Sequence, residues 1–534
     1  MQTPRRDVLK LAGGGIAATL MTAPALYAAK SPKGSEMGRH GNGVFDVKMF
    51  GATGDGSTID TPAINKAIAA AAAAGGGTVL FPAGTYASYS IHLQSHVALC
   101  LGQGAVLLAA DAPPEGSPGG YDAPEPKQPW EAYQDFGHNH WHNSLIWGVG
   151  LEDVMICGPG RIWGRGLSRA NGPDSRNPAQ RRILGVGNKS IALKNCRNVV
   201  LKDFQILQGG WFGILVTGVD NLTIDHLTID TNRDGMDIDC CRNVHVSNCT
   251  VNSPHDDAIV PKSSYALGYA RSTENLTISN CYVTGTYAVG SLLDGTFQKI
   301  RPGTGRIKLG TESNGGFKNI AISNCVFEGC QGLALETVDG ALLEDIAITN
   351  ITMRDLGSSP IFLRLGARMR GPASIPIGQL RRVMISNLVA SNVDPRYCSI
   401  LSGIPDHAIE DVQISDVYIQ HRGGGTSAQA TSDLPEKENG YPEPTMFGVT
   451  PAQGFYLRHM QNIDMSHVEI ASLAPDARPV FYLEDVKDAD FLRIKTPRET
   501  GVAAFSLHNV DNFTCSLSRG ISDTTLGHVS DKSL

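Results

Sequence analysis

Asn198-Val199-Val200-Leu201, Asn221-Leu222-Thr223-Ile224, Asn243-Val244-His245-Val246 and Asn275-Leu276-Thr277-Ile278 are copies of one phrase. It returns as Asn319-Ile320-Ala321-Ile322, Asp345-Ile346-Ala347-Ile348, Asp411-Val412-Gln413-Ile414 and Asn462-Ile463-Asp464-Met465. The first two steps are 23 and 22 residues, and later ones stretch to 32 and 44 as loops are inserted. Apolar residues, many of them β-branched, alternate with polar or small ones, and turn-formers separate the units. That is strand chemistry, not helix chemistry. A period near 22 with several short strands per unit predicts an all-β, right-handed parallel β-helix. Leucine-rich repeats have a similar length but need Leu-x-x-Leu-x-Leu, which is missing; propeller blades need about twice the period. Coils stack about 4.8 Å apart, so residues one period apart become neighbours on one face. The repeated Asn is expected to form a ladder at the corners, its side chain bonding the backbone of a turn.

Upstream, residues 45–86 read as strand, Gly-rich turn, helix and strand. Asp60-Thr61-Pro62 supplies a cap and a first-turn proline, residues 63–74 carry the helix, and Gly75-Gly76-Gly77 ends it. Such an N-terminal capping helix would cover the unpaired edges at an open end of the solenoid. Gly51-Ala52-Thr53-Gly54-Asp55-Gly56 lacks the Lys-Ser/Thr of a phosphate loop and reads as a turn. Arg5-Arg6, a hydrophobic residue two positions on and Lys10 precede an uncharged stretch over 11–29, a pattern that resembles a twin-arginine export signal. The expected organisation is a leader over residues 1–29, a linker over 30–43, one β-helix domain over 44–525 and a tail over 526–534. The product is expected to be periplasmic or secreted, and a monomer.

The 534 residues include 60 Gly and 29 Pro, with 18 % charged and 41 % apolar. That balance excludes a disordered chain, and the heptads of a coiled coil are missing. A formal charge of −7 gives no electrostatic pull toward nucleic acid or anionic lipid. Beyond the leader, no stretch reaches the roughly 20 apolar residues of a membrane span. Eleven cysteines cannot all pair internally. Cys196, Cys249, Cys281 and Cys325 each follow an Asn within the repeat, which predicts stacked, buried thiols.

Chemistry concentrates in Thr231-Asn232-Arg233-Asp234-Gly235-Met236-Asp237-Ile238-Asp239 and, one coil later, His255-Asp256-Asp257-Ala258-Ile259-Val260-Pro261-Lys262-Ser263. Asp234 precedes Asp256 by 22 residues and Asp257 by 23, so stacking brings three carboxylates to one patch. Crowding should raise at least one of their pKa values, which suits one as general acid and another as activator of water. A solvated acidic turn or a Ca²⁺ site could use the same oxygens.

Asn-x-Asp-Gly-x-Asp followed by Asp-Asp-x-Ile-x-x-Lys-Ser resembles the signature of glycoside hydrolase family 28, the polygalacturonases, over residues 44–468. The resemblance implies a β-helical enzyme that hydrolyses pectic polysaccharide with inversion and without metal or other cofactor. It implies Asp256 as general acid, Asp234 and Asp257 as the pair holding the attacking water, Asn232 as support and Lys262 just behind the site. Inverting carboxyl groups generally stand about 6.5–9.5 Å apart. The chain also departs from the family pattern. Arg233 replaces the Thr of Asn-Thr-Asp, and the Gly-His-Gly position falls on Gly303-Thr304-Gly305 or on Tyr287, neither offering a His. The family's Arg-Ile-Lys occurs literally at Arg306-Ile307-Lys308, yet register from the following strand gives its slot to Ala334-Leu335-Glu336. Glu336 in that slot would repel a galacturonate carboxylate, which favours a rhamnogalacturonan-like or substituted backbone as substrate. Arg233, Arg364, Arg368 and Arg370 are candidates to restore a clamp for an acidic sugar.

Two loops draw notice. Residues 121–147 hold Trp130, Tyr133, Phe136, Trp141 and Trp147 with His138, His140 and His142 between them. They read as a wall for sugar rings, as loop packing, or as histidines that bind metal on one strand face. Residues 436–458 interrupt the repeat with Tyr441, Met446, Phe447, Tyr456 and Arg458. Competing functions for the scaffold are a Ca²⁺-dependent polysaccharide lyase and a non-catalytic carbohydrate-binding β-helix.

Overall fold

A computed structural model of the chain describes residues 43–534 apart from 115, 169–183, 232, 300–301 and 498. The expected leader, nearly all of the linker and Asn232 therefore lie outside the described residues. Within residues 40–534 the chain forms one compact unit. The coils around residues 189–252 repeat the same three strands, two of which run together as one long strand from Phe317–Glu328 onward. Phe212–Thr217, Asp220–Asp225 and Thr228–Asp230 form one coil, and Asp234–Asp239, Arg242–Ser247 and Thr250–Asn252 form the next. Their pairing is parallel and in register, with Ile214 against Met236, Leu222 against Val244 and Ile229 against Val251. This is the right-handed parallel β-helix expected from the period, with the hand that parallel crossovers adopt. Alternate side chains point inward, so Ile214, Leu222, Ile229 and their successors fill one continuous core.

The corner Asn residues do form a ladder, but not the one expected. Asn198, Asn221, Asn243, Asn275 and Asn319 hold left-handed φ values of 55–58°. Each amide nitrogen donates to the side chain one coil below: Asn221 to Asn198 (2.9 Å), Asn243 to Asn221 (3.1 Å), Asn275 to Asn243 (3.1 Å). Asn is chosen because it tolerates this conformation better than other side chains, and its amide is both donor and acceptor, so it can bond itself. Arg382, with φ of 54°, fills the same slot in a coil that the Asn/Asp phrase skips. The four repeat cysteines are buried and free, and each thiol donates to the carbonyl two residues earlier.

Both ends are closed. At the first, helix Thr61–Ala73 buries Ile64, Ala67, Ile68 and Ala71 into the common core. Asp60 does not cap it through its side chain; its carboxylate instead accepts from the backbone nitrogens of Thr53 (2.7 Å) and Gly54 (3.0 Å). At the other end the expected tail is structured. Thr524–Ser533 is a strand antiparallel to Phe505–Ser516, reversing the direction of the solenoid and covering its last edge. Among the described residues, no helix is long and apolar enough to cross a membrane.

Candidate active site

One face of the solenoid is the six-stranded parallel sheet that ends with Phe212–Thr217, Asp234–Asp239 and Ile259–Lys262. Asp234 begins its strand, while Asp256 and Asp257 lie in the turn that leads into the next. Gly235 N–H donates to the Asp257 carbonyl (3.0 Å), locking the two coils together where the carboxylates stack. The coils meet so closely here that a Cβ on Gly235 would stand 2.4 Å from the Ala258 carbonyl oxygen. Asp234, Asp256 and Asp257 thereby bring one oxygen each to within 4.8 Å of the others. This is tighter than the spacing expected for a water between opposed carboxyls. It is the span of one water hydrogen-bonded to two of them on the same side: two bonds of about 2.8 Å at a tetrahedral angle separate their acceptors by about 4.6 Å.

Two of the three carboxyls are driven in opposite directions. Burial pushes Asp234 well above the ordinary value, and the neighbouring Asp256 and Asp237 push the same way. Burial would raise Asp257 too, but Arg306 Nε (2.7 Å) and Lys308 Nζ (2.9 Å) hold it well below. Asp256 keeps solvent contact; Arg233 donates to its Oδ2 through Nε (2.9 Å) with Nη2 2.7 Å from the same oxygen, and the Asp257 N–H donates to its Oδ1 (3.1 Å). The Arg233 guanidinium lies 5.1 Å above the Trp211 ring. Lys262 is buried behind the site as expected, paired with Glu312 (2.9 Å).

Arg306 and Lys308 correct the reading of the basic motif. Ile259 bridges to Ile307, and Lys308 pairs with Ala334, so Arg306-Ile307-Lys308 occupies the coil directly after the Asp pair. Both side chains are buried and directed at the protein's own Asp257. Glu336 does not face a substrate: it is fully buried, 4.0 Å from Lys308, and accepts from Thr311 Oγ1 (3.1 Å). Its burial, partly offset by Lys308 and Arg306, pushes it up to about 7. The insertion between residues 263 and 305 hid this register, because it lengthens a single coil.

The other predicted residues divide. Thr304 lines a groove of about 550 Å³ beside the carboxylates, together with His255 and Gln331. Tyr287 is buried against Phe297 (4.4 Å between rings) and is not part of that lining. Arg364 is no clamp: it is buried and donates to Ser402 Oγ and the carbonyls of Gly403 and Glu436. Arg368 is committed to Asp339 and lies 3.7 Å from Glu312. Arg233 and Arg370 remain at the surface of the site, Arg370 being 3.7 Å from Asp135.

Both loops reach the site. His138 is buried with Nδ1 3.6 Å from Asp237 and Nε2 4.0 Å from Glu312. Burial and the charge of Lys262 lower it to about 3, so it stands there neutral. Trp141 is buried and Trp130 bonds the Ala266 carbonyl, so the loop largely packs; the Phe136 side chain lies outside the described residues. His140 and His142 face Glu125 rather than each other's metal-binding side. From the second loop, Glu443 accepts from Arg306 Nη1 (3.1 Å), and the Tyr441 hydroxyl lies 3.4 Å from Lys308 Nζ and 3.1 Å from Thr311 Oγ1. Glu443 had no assigned role in the sequence, whereas His138 and Tyr441 were singled out only as members of the two loops. Asp237 carried a signal through the Asp-Gly-x-Asp phrase.

Residues 44–109 match the family model described as rhamnogalacturonase A/epimerase, pectate lyase-like, and residues 179–301 match the right-handed β-helix region. A probable polygalacturonase of Vitis vinifera is 25 % identical over 429 residues, 76 % of this chain and 80 % of that protein. An exo-poly-alpha-D-galacturonosidase of Dickeya chrysanthemi is 23 % identical over 375 residues, 60 % of this chain and 57 % of that protein. The solved family 28 exopolygalacturonase of Yersinia enterocolitica superposes with a TM-score of 0.62 at 20 % identity, covering 85 % of this chain and 79 % of that one. The chain is thus similar to polygalacturonases over most of its length and shares their fold.

Proposed function

We propose that the chain is a glycoside hydrolase acting on pectic polysaccharide, with Asp234, Asp256 and Asp257 as its acid–base machinery. The observation that carries this is the convergence of three carboxyls within 4.8 Å in unlike surroundings, burial pushing Asp234 up while Arg306 and Lys308 hold Asp257 down. Such a split supplies both a proton for the leaving oxygen and an anion to orient water. Asp257 holds the water and stabilises positive charge at the sugar carbon; Asp256, the carboxyl nearest solvent, protonates the glycosidic oxygen; Asp234 shares the water. The similarity to polygalacturonases supports the same reading. A lyase that abstracts a proton with a basic residue needs that residue neutral near the substrate, but Lys262 and Lys308 are each buried against a carboxylate and held charged. With Glu336 buried, the motive for a backbone other than plain polygalacturonate falls, and Arg233 and Arg370 beside the site suit an acidic sugar.

The test is product analysis on polygalacturonate and rhamnogalacturonan oligosaccharides. New reducing ends without an ultraviolet-absorbing double bond, and the inverted anomer first, are expected; an unsaturated product or the retained anomer overturns the mechanism. Asp256→Asn should lower turnover by about 10²–10⁴-fold while substrate still binds. We further propose export through residues 1–29; a paired Arg5→Lys, Arg6→Lys variant should accumulate in the cytoplasm.

A further inference from the structure

Arg233 stands where it blocks the residue that must donate the proton. Its Nε donates to Asp256 Oδ2, its Nη2 lies 2.7 Å from the same oxygen, and the Asp257 N–H occupies Oδ1, so in the resting protein Asp256 accepts on both oxygens. An acid cannot work in that state. Yet the pair lies at the surface, with the Arg233 side chain 16 % and that of Asp256 27 % exposed, and Trp211 supports the guanidinium from below. The charged groups around the pair are Asp234, Asp237 and Asp257 beside Asp256, and Asp135 and Asp234 beside Arg233.

Resting on the hydrolase reading above, we propose that Arg233 is the receptor for a substrate carboxylate, and that its transfer from Asp256 to the substrate arms Asp256 as the acid. A planar guanidinium prefers a two-oxygen partner, and an incoming uronate offers one without the geometric compromise of a single shared oxygen. Once Oδ2 is released, the proton resting on Asp234 passes through intervening water to Asp256. Asp256 then gives it to the glycosidic oxygen as the C–O bond breaks. The attacking water forms the new C–O bond and loses its proton to Asp234, which restores the starting state with protons balanced. A neutral sugar at this position leaves Arg233 on Asp256 and the acid disarmed. The chain's departure from Asn-Thr-Asp becomes a gate that reads substrate charge.

The experiment compares kcat and KM on galacturonate oligosaccharides and on their methyl esters of equal length, for the wild type, Arg233→Gln and Arg233→Lys. The wild type should prefer the acid by about tenfold or more, the worth of one charge-assisted contact, with part of the preference in kcat. Arg233→Gln should collapse the acid-to-ester ratio, and Arg233→Lys should restore part of it; unchanged melting temperatures verify folding. A ratio unmoved in Arg233→Gln overturns the receptor role, and a preference confined to KM overturns the arming step. If the wild type cleaves neither substrate, the hydrolase reading falls by itself. Calorimetric binding of trigalacturonate and its ester then decides the receptor role: loss of acid preference in Arg233→Gln supports it, and no loss overturns it.

Discussion

Asp257 is a buried anion held by two buried cations, and Arg306 also carries Glu443. Breaking such a network leaves charge stranded in the interior, so Arg306→Met should destabilise the protein by about 3 kcal/mol or more in urea denaturation. Glu336 makes a different prediction. Its folded value is raised to about 7, so between its ordinary 4.5 and 7 the folded state binds a proton that the unfolded state has lost. Stability therefore falls as pH rises across that window. Glu336→Gln should remove this slope, and unfolding at pH 5 and pH 8 measures it. His138 acts in the opposite sense at lower pH: lowered to about 3, it costs stability as pH falls from 6.5. The Asp triplet was legible at this scale because its members are one period apart. Arg306 and Lys308 were written as Arg-Ile-Lys but misplaced, since a period cannot be counted across a coil lengthened by insertion.

The corner ladder and the second loop, residues 436–458, are the elements that set precision. Asn243→Ala loses the amide bonds to both neighbouring coils and the side chain that tolerates φ of 57°, for about 2 kcal/mol in total; Asn243→Gly keeps the conformation and should cost about half as much. Thermal denaturation separates the two. The loop is fixed from beneath: Arg364 donates to the Glu436 carbonyl (2.8 Å) and Arg458 to that of Leu434 (2.9 Å). Arg364→Leu should release residues 436–440 to proteolysis and lower activity through Tyr441 and Glu443, which rest on Lys308 and Arg306. Repeat strands could be read because alternation is local. The loop could not, because what fixes it lies 24 and 72 residues away in sequence.

At the scale of the whole chain, the strand Thr524–Ser533 turns a parallel stack into a closed one. Ending the chain at residue 523 should expose the outer edge of Phe505–Ser516 and shift the protein from a single species to aggregates in sedimentation. The architecture was evident from the 22-residue period, yet this closure was not, because Thr524–Ser533 is largely exposed and lacks the apolar alternation that marks the other strands.

All of the proposed chemistry sits on three adjoining coils, from Asp234 to Lys308, while strands Phe455–Ser472, Phe481–Leu492 and Phe505–Ser516 stack beyond them in continuous register. Because a solenoid transmits little from rung to rung except spacing, whole turns could be added or deleted downstream of the loop, and the barrel of the molecule lengthened or trimmed, without displacing a reacting atom.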